Sequence, residues 1–417
     1  MKILNQVLSK NILGYSLSGL IRVISVLIGF FLTLAISNKL NPSDAGYFFL
    51  ILSIITITSF ILTFGREYKV LKEIAINRYQ NAPANDFIYI SKEVFPLIFI
   101  GLFLCLIFQL VSINIDSAKT IDFLRSAIYS IPALTGIIII SFAIQGQSRI
   151  SLSILTSRIL CPLFLIIVLY SNFFSDIEDI LSSYVFIAWI CFFVSLVLFF
   201  FYEKEDYSKK PSDHLKDRKK KQKIYLFLIG VCQQIFIWQG TILTSIFFQY
   251  DDISVIVISQ RTALIISFVL ITINAVNAPK FARLYAQNDI AGIKDLALSS
   301  SILSISFGLI TAFLMFIFSE NIILLFGESY LDGIPKLKIL IIGQIFLCCA
   351  GPVGVILLMS NRYKQSAFSS IFSLLLSLLF AYFFSEDIGL NSIPISIVLS
   401  LFIKSCMDLY FARKILF

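Results

Sequence analysis

The stretch EKEDYSKKPSDHLKDRKKKQK, residues 203–223, divides a chain of 417 residues into two halves of matching character. Six apolar segments precede it, at 12–36, 45–64, 87–112, 121–144, 152–170 and 182–202. Six follow, at 223–246, 253–276, 296–319, 337–359, 364–384 and 391–412. A helix rises about 1.5 Å per residue, so roughly 20 apolar residues cross the hydrocarbon core of a bilayer. The pattern predicts an all-α integral membrane protein of about twelve transmembrane helices in two six-helix lobes. It sets an N-terminal lobe at 1–205, a basic linker at 206–222 and a C-terminal lobe at 223–417. Two equal sets of spans point to an internally duplicated transporter.

Composition supports the same class. Hydrophobic residues make up 58% of the chain and charged ones 14%, against roughly 45–50% and 25% in soluble domains. The first apolar run carries Arg22 and ends without a small-residue cleavage site, so it is expected to stay attached as the first span. Ahead of it, Ile3, Leu4, Val7 and Leu8 share a face beside Lys2 and Lys10, the pattern of a short interfacial helix.

Positive charge in short loops marks the cytoplasmic side. Lys2, Lys10, Arg66, Lys69, Lys72, Arg78, Arg149, Lys280, Arg283, Lys294, Arg362, Lys364, Arg413 and Lys414 fall at the termini and in alternate loops, with the linker on the same side. Loops on the other side carry Asp176, Glu178, Asp179, Asp251, Asp252, Glu320, Glu328, Asp332, Glu386 and Asp387. Both termini and the linker are therefore expected in the cytoplasm. That orientation, with headgroup attraction, accounts for Arg218-Lys219-Lys220-Lys221 and for the net charge of +8. No nucleic-acid partner is needed.

Enzyme chemistry has no visible carrier. Cysteines 105, 161, 191, 232, 348, 349 and 406 lie in apolar spans, outside any C-x-x-C pattern, and read as small buried packing residues. The one histidine, His214, sits among linker lysines. There is no H-E-x-x-H, G-x-S-x-G or Walker loop, and the external loops are no longer than plain connections. The expectation is a transporter with no catalytic residue, metal or cofactor.

Charged side chains inside a bilayer are costly, at about 2.5–3.5 kcal/mol near the centre, so they face a cavity or a partner. Arg22 lies near the middle of the first span, on a stripe with Gly14, Ser18, Ser25 and Gly29. Arg261 lies in the eighth span, beside a face carrying Gln260, Ser267 and Asn274 at heptad spacing. Arg158 sits in the fifth span one turn before Pro162, where a kink opens the backbone. Gln234, Thr241 and Ser245 share a face of the seventh span. Each position also has a plain reading as helix packing through small or internally paired residues. Arg125 lies near the external end of the fourth span, close to Asp122, where its side chain can snorkel, and Lys404 and Asp408 at i,i+4 are expected to neutralise each other. Proline and glycine interrupt further spans at Pro132, at Gly351-Pro352-Val353-Gly354 and at Pro394. If the polar set converges, the cavity is cationic. Guanidinium binds phosphate through bidentate, charge-assisted hydrogen bonds.

Short motifs in order along the chain carry a resemblance. They are Lys10-Asn11-Ile12-Leu13, Leu40-Asn41-Pro42-Ser43-Asp44-Ala45-Gly46-Tyr47, Phe64-Gly65-Arg66-Glu67, Ala278-Pro279-Lys280-Phe281-Ala282-Arg283-Leu284 and Leu325-Phe326-Gly327-Glu328-Ser329-Tyr330. In them the chain resembles Wzx-type O-antigen flippases of the multidrug/oligosaccharidyl-lipid/polysaccharide (MOP) exporter superfamily. A shift of 208 residues lays Asp44 on Asp252, Leu62 on Leu270 and Lys72 on Lys280, an internal echo of duplication.

The resemblance implies a V of two six-helix bundles whose central cavity opens alternately to each side. It implies an undecaprenyl-pyrophosphate-linked oligosaccharide as cargo, moved across a bacterial inner membrane. The implied partners are the lipid bilayer, a coupling ion (H+ or Na+), and a polymerase and chain-length regulator of the same pathway. Related lipid II flippases place arginines in spans one and eight, the spans of Arg22 and Arg261. The reading therefore assigns the pyrophosphate to Arg22, Arg261 and Arg158, and a polar lining to Ser18, Ser25, Gln234, Gln260 and Asn274. Two alternatives stay open: a drug or ion antiporter of the same superfamily, and a membrane-embedded glycosyltransferase or polymerase.

Overall fold

A computed structural model describes residues 2–79, 84–112, 119–147, 149–171, 176–200 and 220–416, without side-chain placement for 1–18, 72, 75–79, 84–88, 220–222, 279, 414 and 416. Its elements are α1 (Lys2–Lys39), α2 (Pro42–Leu62), α3 (Arg66–Tyr79), α4 (Ala84–Ser112), α5 (Lys119–Ala127), α6 (Ser130–Gly146), α7 (Ile150–Ile154), α8 (Leu160–Tyr170) and α9 (Ile177–Phe200). The second half holds α10 (Lys220–Phe247), α11 (Tyr250–Ala286), α12 (Ile290–Ile317), α13 (Ser319–Leu324), α14 (Gly333–Ala350), α15 (Val353–Met359), α16 (Tyr363–Ile388) and α17 (Ser392–Leu416). No strand occurs among the described residues.

Among the described residues ten helical stretches are long and apolar enough to span a bilayer, and the bent pair α5–α6 makes eleven. The last stretch, Tyr363–Arg413, runs through α16 and α17 with a 3-10 turn at Gly389–Asn391 between them. Ser369 bonds Asp408, while Ser377 and Ser400 both bond Gln239. Those pairings make α16 and α17 an antiparallel hairpin, so the stretch crosses twice, in keeping with the twelve apolar segments. Large apolar side chains stay exposed along the spans, such as Phe99, Phe103 and Leu110 on α4 and Leu298, Ile302 and Phe313 on α12. In water such surface would drive aggregation; here it is the face that lipid covers. The chain is a multi-pass membrane protein.

Proline sets where the spans break, and neighbouring helices repair the damage. A proline at position i leaves the carbonyl of i−4 without its helical donor. Pro132 cannot donate to the Ile128 carbonyl, which accepts from Ile131 N at 3.0 Å and from Cys105 Sγ at 3.4 Å, and the adjacent Tyr129 carbonyl accepts from Trp189 Nε1 at 3.1 Å. The α5–α6 pair bends by 50° at this point. Pro352 cannot donate to the Cys348 carbonyl, which accepts from Gly351 N at 3.2 Å and from Ser304 Oγ at 2.9 Å. Gly351 there has φ +66° and a virtual Cβ only 2.2 Å from Ser301 Oγ, so a side chain is excluded. Non-aqueous surroundings demand such repairs, because no water reaches an orphaned carbonyl.

By its contacts the chain forms two compact units, Met1–Leu50 with Leu228–Phe417, and Ile51–Phe227. Residues 206–219 of the expected linker lie outside the described set. The grouping has a local basis. Gly46 in α2 has a virtual Cβ 1.9 Å from the Tyr250 carbonyl oxygen, and Tyr47 stacks on Tyr250 with ring centroids 4.0 Å apart. The first turn of α2 therefore docks on the first turn of α11, and Phe30 and Leu34 of α1 join the same core. Both unit boundaries fall inside helices, α2 and α10.

Two sequence expectations change. Residues 66–79 form the helix α3 rather than a plain loop. Cys349 and Cys406 are exposed, so only five of the seven cysteines are buried; the two exceptions point away from the core of their helices. The helix before the first span runs unbroken into it, and its face at residues 3–8 lies outside the described side chains.

Candidate functional site

Arg261 is held by α11 against α10. Its guanidinium carbon lies 4.7 Å from the centroid of Trp238 and 5.9 Å from that of Phe49, both buried. Cation–π contact with Trp is the strongest of its type. Among the described residues no carboxylate or hydrogen-bond acceptor pairs with Arg261, which is half-buried. A guanidinium stacked on its face keeps its edge N–H donors available, and these are the groups that bind an oxyanion.

The neighbouring residue is committed elsewhere. Gln260 is buried; its Oε1 accepts from Gly240 N at 3.2 Å and its Nε2 donates to the Phe236 carbonyl at 3.3 Å. Gly240 is required there, since a Cβ would lie 2.3 Å from Gln260 Oε1 and 2.8 Å from Ile256 Cγ2. Gln260 thus locks α11 to the backbone of α10 and sets the height of Arg261. Gln234 lies one turn before Trp238 on the same face of α10 and is half-buried. Asn274, more than three turns beyond Arg261, has a buried Oδ1 without a partner.

On α1, Leu20, Ile24, Leu27 and Phe31 are exposed and form one apolar stripe. Arg22, Ser25 and Gly29 lie about 130–190° around the helix from the centre of that stripe, so they face away from it. A Cβ at Gly29 would meet nothing within 4 Å. The Ser25 hydroxyl donates to the Arg22 carbonyl at 2.7 Å. Ser18 lies outside the described side chains. Gly19 faces Thr272 of α11 at 3.9 Å, while the C-terminal end of α1 leads into α2 beside Tyr250, so α1 and α11 run antiparallel. At about 1.5 Å per residue, Arg22 and Arg261 then stand about 12 Å apart along the axes, within one compact unit.

Arg158 belongs to the other unit. It lies in a π-helical turn, Leu155–Ile159, one turn before Pro162, and it is exposed with no hydrogen-bond or ion-pair partner among the described residues. The widened turn absorbs the proline that the sequence marked as a kink, and such turns recur at functional sites. Arg125 is structural: it pairs with Asp122 at 2.8 Å and caps the end of α4 through Ser112. Lys404 and Asp408 do neutralise each other, at 2.5 Å, with Ser369 on the second carboxylate oxygen.

Two acids escaped the sequence reading. Glu93, in α4, collects both Arg66 at 3.4 Å and Lys69. Glu67, in the first turn of α3, is fully buried with neither carboxyl oxygen partnered, and burial pushes its carboxyl up from the usual carboxylate range. Glu67 entered the sequence reading only within the motif Phe64-Gly65-Arg66-Glu67, and Glu93, beside Lys92 near the start of the 87–112 segment, carried no signal of its own. Among the described residues no three His, Cys, Asp or Glu side chains are grouped to hold a metal ion.

Residues 229–383 match the MatE family. No curated protein matches the chain by sequence. The fold is shared with an inward-facing multidrug resistance MATE family transporter of the MOP superfamily, at 12% identity and TM-score 0.71 over 95% of this chain and 97% of that one. It is shared with the lipid II flippase MurJ in an inward closed conformation, at 15% identity and TM-score 0.72 over 95% and 87%. A MOP superfamily transporter from Pyrococcus furiosus, described by a reversed binding-pocket polarity that suggests a different function, aligns at 12% identity and TM-score 0.69 over 96% and 95%. At these identities the likeness is one of fold.

Proposed function

We propose that the chain is a flippase carrying an undecaprenyl-pyrophosphate-linked oligosaccharide, such as an O-antigen repeat unit, from the cytoplasmic to the periplasmic leaflet of a bacterial inner membrane. The observation that carries this reading is Arg261: a mid-span guanidinium backed by Trp238 and Phe49, without a counter-charge among the described residues. An anionic cargo supplies what the protein withholds. Arg22 stands at a height from which two extended arginine side chains can share one pyrophosphate, and Arg158 is the third guanidinium we assign to the anion. The sugar takes the polar positions Gln234 and Asn274 in this reading, while the prenyl tail stays in lipid. The lobes 1–205 and 223–417 alternate access about the linker, with both termini cytoplasmic. The polymerase and chain-length regulator of the same pathway act on the product.

The fold shared with a lipid II flippase and the match of 229–383 to MatE are compatible with this cargo. Flipping of a fluorescent lipid-linked oligosaccharide in proteoliposomes tests it. The Arg22→Ala, Arg261→Ala double variant is expected to lose flipping while staying folded; full activity overturns the pyrophosphate clamp. The MatE match also favours a second reading, a drug or ion antiporter. That reading predicts protection of cells from cationic dyes and an unaltered surface glycan when the protein is deleted.

A further inference from the structure

We propose that Glu67 is a proton-binding site, occupied while the joint between α2 and α3 is closed as here and emptied when that joint opens. For the use of that proton the inference rests on the transporter reading, where it names H+ as the coupling ion.

The joint is tight. Thr63 and Phe64 close α2 with turns back to Phe60 and Ile61, and Phe64 and Gly65 have φ of 49° and 72°. Gly65 is pressed against Phe227, with a virtual Cβ 3.2 Å from its Cβ. Glu67 follows directly and is fully buried.

Among the described residues no cation pairs with Glu67. Arg66 and Lys69, the flanking cations on α3, both reach Glu93 on α4. On the same helix Glu73 can only repel a carboxylate. From α4 come Tyr89, Lys92 and Glu93, of which Glu93 is already paired twice. Helix α6 has no charged residue between Ser130 and Gly146, and Arg149 beyond it donates to Gln147 at 3.1 Å. The final turns of α2 carry no charge, and Lys223 is exposed on α10. The polar group beside Glu67 is the Thr63 hydroxyl, whose oxygen lies 2.8 Å from the Phe60 carbonyl; it and the Glu67 backbone favour the carboxylate, and burial outweighs them. A buried carboxylate that, among the described residues, has no counter-ion and no hydrogen bond to either oxygen neutralises by binding a proton.

The sign follows from linkage. The closed joint binds one more proton than the open one, so closure is favoured at low pH and lost as pH rises through the raised value of Glu67. A group that is neutral when enclosed and charged when wet ties proton uptake to the movement of α3.

Thermal unfolding of the purified full-length protein, from about pH 5 to about pH 9, tests the site without any substrate. The wild type is expected to lose Tm with rising pH, and Glu67→Gln, a neutral isostere, to be flatter and at least as stable at high pH. Parallel profiles overturn the proposal. So does failure of Glu67→Gln to fold, since a neutral amide must fit a neutral site. In proteoliposomes a pH gradient is expected to accelerate flipping by the wild type but not by Glu67→Gln; an intact response in the variant overturns the coupling role. A wild type that moves no lipid-linked oligosaccharide at all refutes the cargo proposed above, and the unfolding profiles still decide the proton site.

Discussion

Two polar regions of the same compact unit behave in opposite ways. At the α16–α17 hairpin, Lys404, Asp408 and Ser369 form one connected set, while Gln239 of α10 donates to Ser377 and accepts from Ser400 at 3.1 Å. Around the α10–α11 contact, Arg261 has only aromatic rings for company, and Thr241, Thr262 and Asn274 each keep a buried oxygen without a partner. Both regions put polar atoms where lipid or protein should be. The first satisfies them internally, as helix–helix glue in membranes does. The second leaves them open, and unsatisfied buried groups in native proteins call for a reason such as a ligand. A polar residue in a span therefore signals function only when its hydrogen bonds are unspent.

The largest effect expected from breaking the contrast is in the closed region. Asp408→Ala leaves the Lys404 ammonium without its partner, and loss of one member of a buried pair costs about 3–5 kcal/mol. Lys404 keeps 22% of its side chain exposed, which places the loss near the lower bound. Unfolding in detergent measures it, and a Lys404→Met, Asp408→Leu double variant is expected to regain most of the stability. In the open region the order of effects reverses. Arg261→Lys preserves charge but loses the planar fork and its stacking on Trp238. Losing one charge-assisted hydrogen bond, at roughly 1.5–3 kcal/mol, lowers flipping at least about tenfold with little change in Tm. Unchanged flipping would close the region as a site.

How much of this contrast the sequence displays depends on the kind of partner. Lys404 and Asp408 stand four residues apart, so their pairing is written in helix geometry. Arg125 and Asp122, three apart, are legible for the same reason. Arg261 and Arg22 stood out as charges inside apolar segments, and the period of 3.6 placed each on a face. Gln260 did not read correctly as an open cavity residue, since its partner is the backbone of Gly240 twenty residues away. Glu93 and Glu67 were invisible because their fates turn on α3, a helix whose own sequence looks like a charged loop. The breaks at Pro132 and Pro352 were legible, whereas the donors that repair them, Cys105 and Ser304, sit on other helices and leave no local trace.

Gly240→Ala probes the contact that separates the two regions. Its Cβ would push Gln260 off the α10 backbone, losing two hydrogen bonds, at an expected cost of about 1–2 kcal/mol. Since Gln260 fixes the height of Arg261, flipping should fall together with Tm in this variant. A drop in Tm alone would detach the anion site from the helix lock.

The smallest effects give the sharpest comparison, because they change one oxygen each. Ser400→Ala removes a hydroxyl whose proton is shared between the Ile397 carbonyl at 2.7 Å and Gln239 Oε1 at 3.1 Å, leaving Gln239 short of a polar neighbour in a span, so it should destabilise by about 1 kcal/mol. Thr241→Val deletes a buried hydroxyl oxygen that has no partner, at nearly constant shape. Removing an unpaired polar group is neutral or stabilising, within about 1 kcal/mol. The two variants sit on adjacent helices of one unit and bury similar volumes, so the sign of the difference in Tm isolates hydrogen-bond satisfaction from packing. If Thr241→Val lowers Tm as much as Ser400→Ala, the Thr241 hydroxyl has a partner, such as an ordered water. The α10–α11 region would then be glue like the hairpin, and Arg261 would be its last open group.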